Sequence, residues 1–243
     1  SAILCMVHLM RVEEEYRLEL KEIRFDNLML KQIIQNGVPS GFQNSVIAIA
    51  NVFVQSNINA FGKMAMAGCG SYSKIEGFAF LPVTCFTMAL TTFVSQNLGA
   101  KQYDRAKKGA RFGVLCSITI AELIGVIIYA AAPVLIAAFN RDPDVVHYGV
   151  MQSRTIALFY CLLAFSHCIA AVLRGSGHAS VPMIVMLCDW CLFRVSYITV
   201  AVRIIPDIRV IFWAYPLTWS ISSVIFLFMF LRGKWVYGFE EKI

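Results

Sequence analysis

The sequence predicts an all-α integral membrane protein with six transmembrane helices. Three observations carry that expectation. Hydrophobic residues make up 58% of the 243-residue chain and charged residues only 15%, whereas a soluble globular domain carries roughly 25% charged residues. The apolar residues fall in blocks of about twenty or more, long enough at ~1.5 Å per residue to cross a hydrocarbon core of roughly 30 Å. The charges cluster between those blocks, and mean hydropathy is +0.67. The ten-residue alternation of an outer-membrane barrel is missing.

The chain opens on SAILCMVHLM (Ser1 to Met10), apolar but short, with no initiator Met and no basic n-region. It reads as the last part of a span rather than as a signal peptide, and the whole chain as a piece of a larger membrane protein. Arg11 to Lys31 mixes Glu13, Glu14, Glu15, Glu19, Glu22 and Asp26 with basic residues. This is a solvated linker with a helical turn or two and no binding role, so residues 1–36 hold a span end and a linker. The six-helix body is expected over 37–232, with spans at 38–60, 77–98, 111–136, 146–173, 181–205 and 210–231, followed by a tail at 233–243.

The first span, GVPSGFQNSVIAIANVFVQSNINAFG, carries Ser40, Asn44, Asn51, Gln55 and Asn59. At ~100° per residue, Asn44, Asn51 and Gln55 fall within about 40° of one another. A row of amides cannot face lipid without partners. It is helix–helix glue or the lining of a cavity, and its length along the span favours the lining. In the second span, Glu76, Phe80, Thr84, Thr87 and Thr91 share a band about 80° wide. Ionisable residues cost roughly 2.5–3.5 kcal/mol at mid-helix. Glu76, Glu122, His167 and Asp189 are therefore candidates for ion or proton coupling, although Glu76 near a span end and His167 on an apolar stretch also suit structural roles. Asp189 and Arg194 are ~140° apart on an α-helix, so they are not expected to share a face.

The net charge of +6 does not point to nucleic acid, because the basic residues segregate. Alternating spans put Lys101, Arg105, Lys107, Lys108, Arg111, Arg174 and Arg232 on one side with the linker, the positive-inside pattern that places both chain ends in the cytoplasm. The eight cysteines lie mainly in the spans. Cys188 and Cys191 form a CxxC without the second pair a tetrahedral zinc site needs. No metal, cofactor or soluble catalytic motif is expected.

The stretch SYSKIEGFAFLPVTCFTMALTTFVSQNLGAKQYDRAKKGAR resembles the eighth span and following loop of the multidrug and toxic compound extrusion (MATE) transporters. There, a Gln-Asn-x-Gly-Ala hinge closes the span before a basic segment. GVPSGFQNSVIAIANVFVQSNINAFG is similar to the seventh span of that family, LRGSGHASVPM to the loop between spans ten and eleven, and WAYPLTW to the last span. The resemblance implies the C-terminal lobe of a twelve-helix, two-lobe transporter in the cell membrane, lacking its N-terminal six-helix lobe. It implies antiport by alternating access, with H+ or Na+ entry driving export of small organic, cationic compounds and membrane lipids as surroundings. In the hinge, Gly99 is expected to allow a sharp helix end, with the basic run held at the anionic membrane surface.

One branch of the family carries carboxylates in the spans matching 38–60 and 146–173, but neither stretch contains Asp or Glu here. Another branch relies on an acidic residue in its first span, which this chain does not include. Two alternatives stand beside antiport. One is a lipid-linked saccharide flippase of the same superfamily, which would need basic residues facing the cavity. The other is an integral-membrane enzyme using Glu122, His167 and the CxxC. A non-transporting scaffold is argued against by the polar stripes.

Overall fold

The computed structural model describes residues 2–12, 18, 26–232 and 234–237. The linker acids Glu13, Glu14, Glu15, Glu19 and Glu22 and the end of the tail, 238–243, lie outside the described residues. Among those described there are helices and turns but no strand. The chain divides into two units, Ser1–Gln35 and Asn36–Ile243.

In the first unit, α1 (Ala2–Arg11) is followed, across the linker, by the start of α2 (Asn27–Asn59). Asp26 begins α2 by accepting the backbone N–H groups of Leu28 (2.8 Å) and Met29 (3.0 Å), as N-caps do. The helix therefore starts well before position 38, inside the segment expected to be linker.

The second unit continues α2 and adds the rest of the helices. Gly62, at φ 101°, turns the chain from α2 into α3 (Lys63–Gly99), in a left-handed conformation that a side chain would strain. The α3 helix runs back from the expected start at 77, and its earlier turns bury the small residues Ala65, Gly68 and Cys69, with Gly68 close against Val145 and Gly149 of the neighbouring helix. Its buried stripe, Tyr72, Ile75, Ala79, Val83, Leu90, Val94 and Leu98, follows the three-to-four spacing of one helix face. The turn that follows departs from expectation. Gly99 stays helical, and the left-handed residue is Lys101 (φ 57°). Ala100 N–H and Gln102 N–H bond back to Gln96 O and Asn97 O, which carries the helical hydrogen bonding past the glycine before the chain reverses.

Next come α4 (Tyr103–Ala137) and α5 (Pro143–Ile156). Asp142 caps α5 by accepting Asp144 N–H at 2.9 Å, and Pro143 occupies its first position, where a missing N–H does no harm. A short 3-10 turn, Ala157–Phe159, joins α5 to α6 (Tyr160–Gly175). Cys168, Ile169, Ala170, Ala171 and Val172 of α6 are all fully buried. A helix enclosed all round is the centre of the bundle, and α3, α4 and α9 pack around it. The next span is α7 (Ser180–Met186), a π-helical stretch over Leu187–Phe193, and α8 (Arg194–Ile204). Asp207 then caps α9 (Ile208–Leu231). After α9 a 3-10 turn, Lys234–Tyr237, stacks Trp235 on Phe230 with ring centroids 5.6 Å apart, so the expected tail begins as a packed turn.

Among the described residues, five helical stretches are long and apolar enough to cross a membrane: Lys63–Gly99, Tyr103–Ala137, Pro143–Gly175, Ser180–Ile204 and Ile208–Leu231. At 33 residues α2 has the length, but its amides keep it out of that set. Phe78, Phe112, Val134 and Val224 stand exposed on the surface, and an apolar exterior of this kind suits lipid.

Candidate functional site

Three helices frame a cavity of about 620 Å³. From α2 come Ser40, Gln43, Asn44 and Ile47, at the i, i+3, i+4, i+7 spacing of one face. Phe80, Thr84, Thr87, Met88, Thr91 and Thr92 line it from α3, and His167 and Arg174, two turns apart, from α6. The α3 and α6 walls are drawn together at Gly175, where a Cβ would lie 2.6 Å from the carbonyl oxygen of Thr91. Thr91 also donates to Ala171 O (3.2 Å) as well as to Thr87 O (2.9 Å). On its other flank α2 is held by Val54 and Ile58, which pack with Ala65, Cys69, Ile198, Ile208, Ile211 and Phe212.

The structure thus brings together five of the expected lining residues: Asn44, Phe80, Thr84, Thr87 and Thr91. Asn51 and Gln55 depart from the expected continuous row. Asn51 is exposed, and Gln55 donates to Asn59 Oδ1 at 2.9 Å. Neither lines this cavity: its α2 lining ends at Ile47, and farther along the helix Val54 and Ile58 pack in the second apolar cluster. Thr84 donates to Phe80 O (3.1 Å) and Thr87 to Thr84 O (2.8 Å). With their protons directed to the backbone, these hydroxyls face the cavity as acceptors.

Five lining residues escaped the sequence reading: Gln43, Ile47, Met88, Thr92 and Arg174. Gln43 is buried and its Oε1 accepts from Arg174 Nη1 at 3.5 Å. In the sequence, Arg174 counts only as one of the basic residues that set orientation. The available signal was its position seven residues after His167, on the same helical face.

The coupling candidates fall in different places. His167 lines the cavity, with its ring edge-on to Phe80 (5.2 Å) and Trp190 (5.8 Å), and its Nε2 is buried without a hydrogen-bond partner. Glu122 accepts the backbone N–H of Cys161 at 3.2 Å. That N–H lies in the first turn of α6, where helical donors lack partners, so Glu122 is paired with a helix end. Glu76 lies one turn beyond Phe80, at a small separate hollow shared with Tyr160, next to the buried Tyr72–Tyr160 hydroxyl pair (2.8 Å).

Asp189 and Arg194 correct an expectation. The π-helical stretch over Leu187–Phe193 has i→i+5 hydrogen bonds, so residues five apart come one above the other. Asp189 and Arg194 therefore share a side of the span and interact electrostatically, and Glu76 also acts on Arg194. Both are buried, Arg194 completely. The guanidinium lies over the Trp190 ring (4.2 Å) and the Tyr215 ring (4.7 Å) and donates to Thr218 Oγ1 at 2.6 Å. Asp189 faces Ser222, but Ser222 gives its proton to Thr218 O (2.8 Å). Neither carboxylate oxygen of Asp189 has a hydrogen-bond partner.

Among the described residues, no group of three or more His, Cys, Asp or Glu could hold a metal ion. The chain offers a concave wall of dipoles with an apolar middle, backed by a sealed group of charges.

Comparison with known proteins places this architecture. The chain is 26% identical over 210 residues to a probable multidrug resistance protein, NorM, of Thermotoga maritima, an alignment covering 84% of this chain and 44% of that protein. It is 22% identical to a FAD transporter of Shewanella oneidensis, over 73% of this chain and 39% of that protein. A crystal structure of MATE in complex with MaL6 superposes with a TM-score of 0.88 at 17% identity, covering 97% of this chain and 54% of that one. The chain thus spans less than half the length of these curated relatives. The MatE family model matches residues 39–199. This multi-pass membrane chain, one lobe of the two-lobe architecture, belongs to the MatE family.

Proposed function

We propose that this chain forms one wall of a transporter that exports small organic compounds across the cell membrane by alternating access, driven by H+ or Na+ entry. The observation that carries the proposal is the cavity between α2, α3 and α6, where amides, threonines and Phe80 share one concave face. Sparse dipoles on an apolar wall suit loose recognition of organic molecules. Relatives named for multidrug resistance and for FAD transport support an organic cargo. Family structures of greater length support a second lobe facing this wall. The resemblance implies a cationic cargo, yet no carboxylate lines the wall. Coupling is assigned to the half-buried Glu76 and the buried Asp189, the two carboxylates that act on Arg194. Both chain ends are proposed to be cytoplasmic, from the segregation of basic residues.

The test is efflux of rhodamine 123 and fluorescein from proteoliposomes holding the protein at its full encoded length, with an imposed H+ or Na+ gradient. Gradient-dependent efflux of either dye supports the reading. Efflux of neither dye, or efflux indifferent to both gradients, overturns it. Orientation is checked separately by placing a single cysteine at position 104 in a cysteine-free background, where labelling from outside intact cells would reverse the topology.

A further inference from the structure

We propose that the Arg174 end of the cavity binds the acidic group, a carboxylate or phosphate, of an organic anion whose apolar body lies against Phe80 and His167. The inference rests on the transport reading above and names the charge of its cargo. Arg174 is the single fixed charge among the residues lining the cavity. Its hydrogen bond is to the Gln43 amide at 3.5 Å, and it pairs with no carboxylate among the described residues. A guanidinium offers five donors in a planar fork that matches carboxylate and phosphate. One such bond leaves most of the fork available.

The neighbouring amide is oriented to help. A guanidinium cannot accept a hydrogen bond, so Gln43 must present Oε1 to it. Its NH2 group is then a donor on the same side, beside the Asn44 amide one residue along the lining face. The two ends of the cavity therefore differ in kind. At one end are Arg174 and two amides able to donate. Along the middle are Phe80, Ile47, Met88 and the His167 ring, with Thr84 and Thr87 presenting acceptor oxygens. An acidic group fits the first end and a planar or apolar body with donors fits the second. The nearest carboxylate along α3, Glu76, lies on the far side of Phe80 and is counterbalanced by Arg194.

The test compares fluorescein with rhodamine 123, which share a xanthene ring system and carry opposite charge. Binding is measured to the full-length protein in phosphatidylcholine vesicles. Fluorescein is expected to bind at least about 10-fold more tightly, the range of a lost bond to a charged group, and Arg174→Gln should erase that preference while Arg174→Lys retains part of it. Thr84→Asp, which leaves Arg174 in place, should reverse the preference and decides the matter if Arg174→Gln does not fold. Soluble and lipid competitors identify the source of the acidic group. Displacement of fluorescein by benzoate or inorganic phosphate assigns the site to soluble anions, and displacement only by added phosphatidylglycerol assigns it to a lipid headgroup. Either supports the site.

Tighter binding of rhodamine 123, or a ratio unchanged by both Arg174→Gln and Thr84→Asp, overturns it. Gradient-driven efflux of rhodamine 123 without fluorescein binding would sink this inference and keep the transport reading. Fluorescein binding that depends on Arg174, without efflux of either dye, would do the reverse.

Discussion

Arg174 and Arg194 both lie in membrane-crossing helices, and neither forms a direct salt bridge within the described residues. Their surroundings are otherwise opposite. Arg194 is wholly enclosed between two aromatic rings, with Thr218 as its bonded partner and the carboxylates of Asp189 and Glu76 acting on it. Arg174 sits half-buried at the edge of a cavity with a single long bond to an amide. Two equally expensive side chains thus meet the same requirement in different ways. One is compensated by the protein itself, and the other stays open to something the protein does not contain.

Removing each arginine in turn separates the two surroundings. Arg194→Met should cost about 3–5 kcal/mol of stability, because it strands a buried carboxylate. The measurement is thermal unfolding in detergent. Adding Asp189→Asn to that variant should restore part of the loss, and no restoration would mean that Asp189 and Arg194 are independent. Gly175→Ala comes next, at about 1–3 kcal/mol, because the new methyl meets Thr91 O and pushes α6 from α3. It should also widen the cavity, seen as altered dye affinity in the surviving protein. By contrast, Arg174→Met should cost less than about 1 kcal/mol, the scale of one ordinary hydrogen bond. A loss as large as that of Arg194→Met would show that Arg174 is a structural clamp. The smallest stability effects belong to α2. Asn44→Leu should change the ranking of exported dyes, while Asn51→Leu and Gln55→Leu should leave it unchanged, with all three within about 0.5 kcal/mol in stability. Equal effects at the three positions would restore the continuous amide row as the lining.

Much of this was legible in the residues. Long apolar blocks and the charges between them specify the helices whatever their neighbours do. The threonine band on α3 was readable because α3 keeps regular α-helical spacing past Phe80, so angle arithmetic holds along it. The same arithmetic failed at Asp189 and Arg194, where the hydrogen-bonding pattern itself changes to i→i+5. No residue type in LCDWCLF announces that change. It failed more gently at Asn51 and Gln55. Their angular position on α2 is as calculated, but which part of that face meets a cavity depends on where the partner helices stand. Arg174 was hidden for a different reason. A basic residue at a helix end already had an explanation in membrane orientation, and one sufficient cause concealed the second. Glu122 was readable as needing a partner, but its partner is a backbone N–H exposed by the 3-10 turn before α6, which leaves no mark in composition.

The π-helical stretch has a consequence beyond placing two side chains. It acts as a phase shift stored in the span between α7 and α8. Every residue after Phe193 points in a direction offset from the one an uninterrupted α-helix would give it. Shortening the stretch by one residue would let the span relax to ordinary α-helical winding, and the ~100° lost with that residue matches the underwinding that disappears. Ile198 would then keep its place in the apolar cluster it shares with Ile211 and Phe212. Asp189 and Arg194 would stand four apart instead of five, still on one side of the span. The stretch therefore holds one spare residue: a one-residue deletion should be tolerated there, and a one-residue insertion should not.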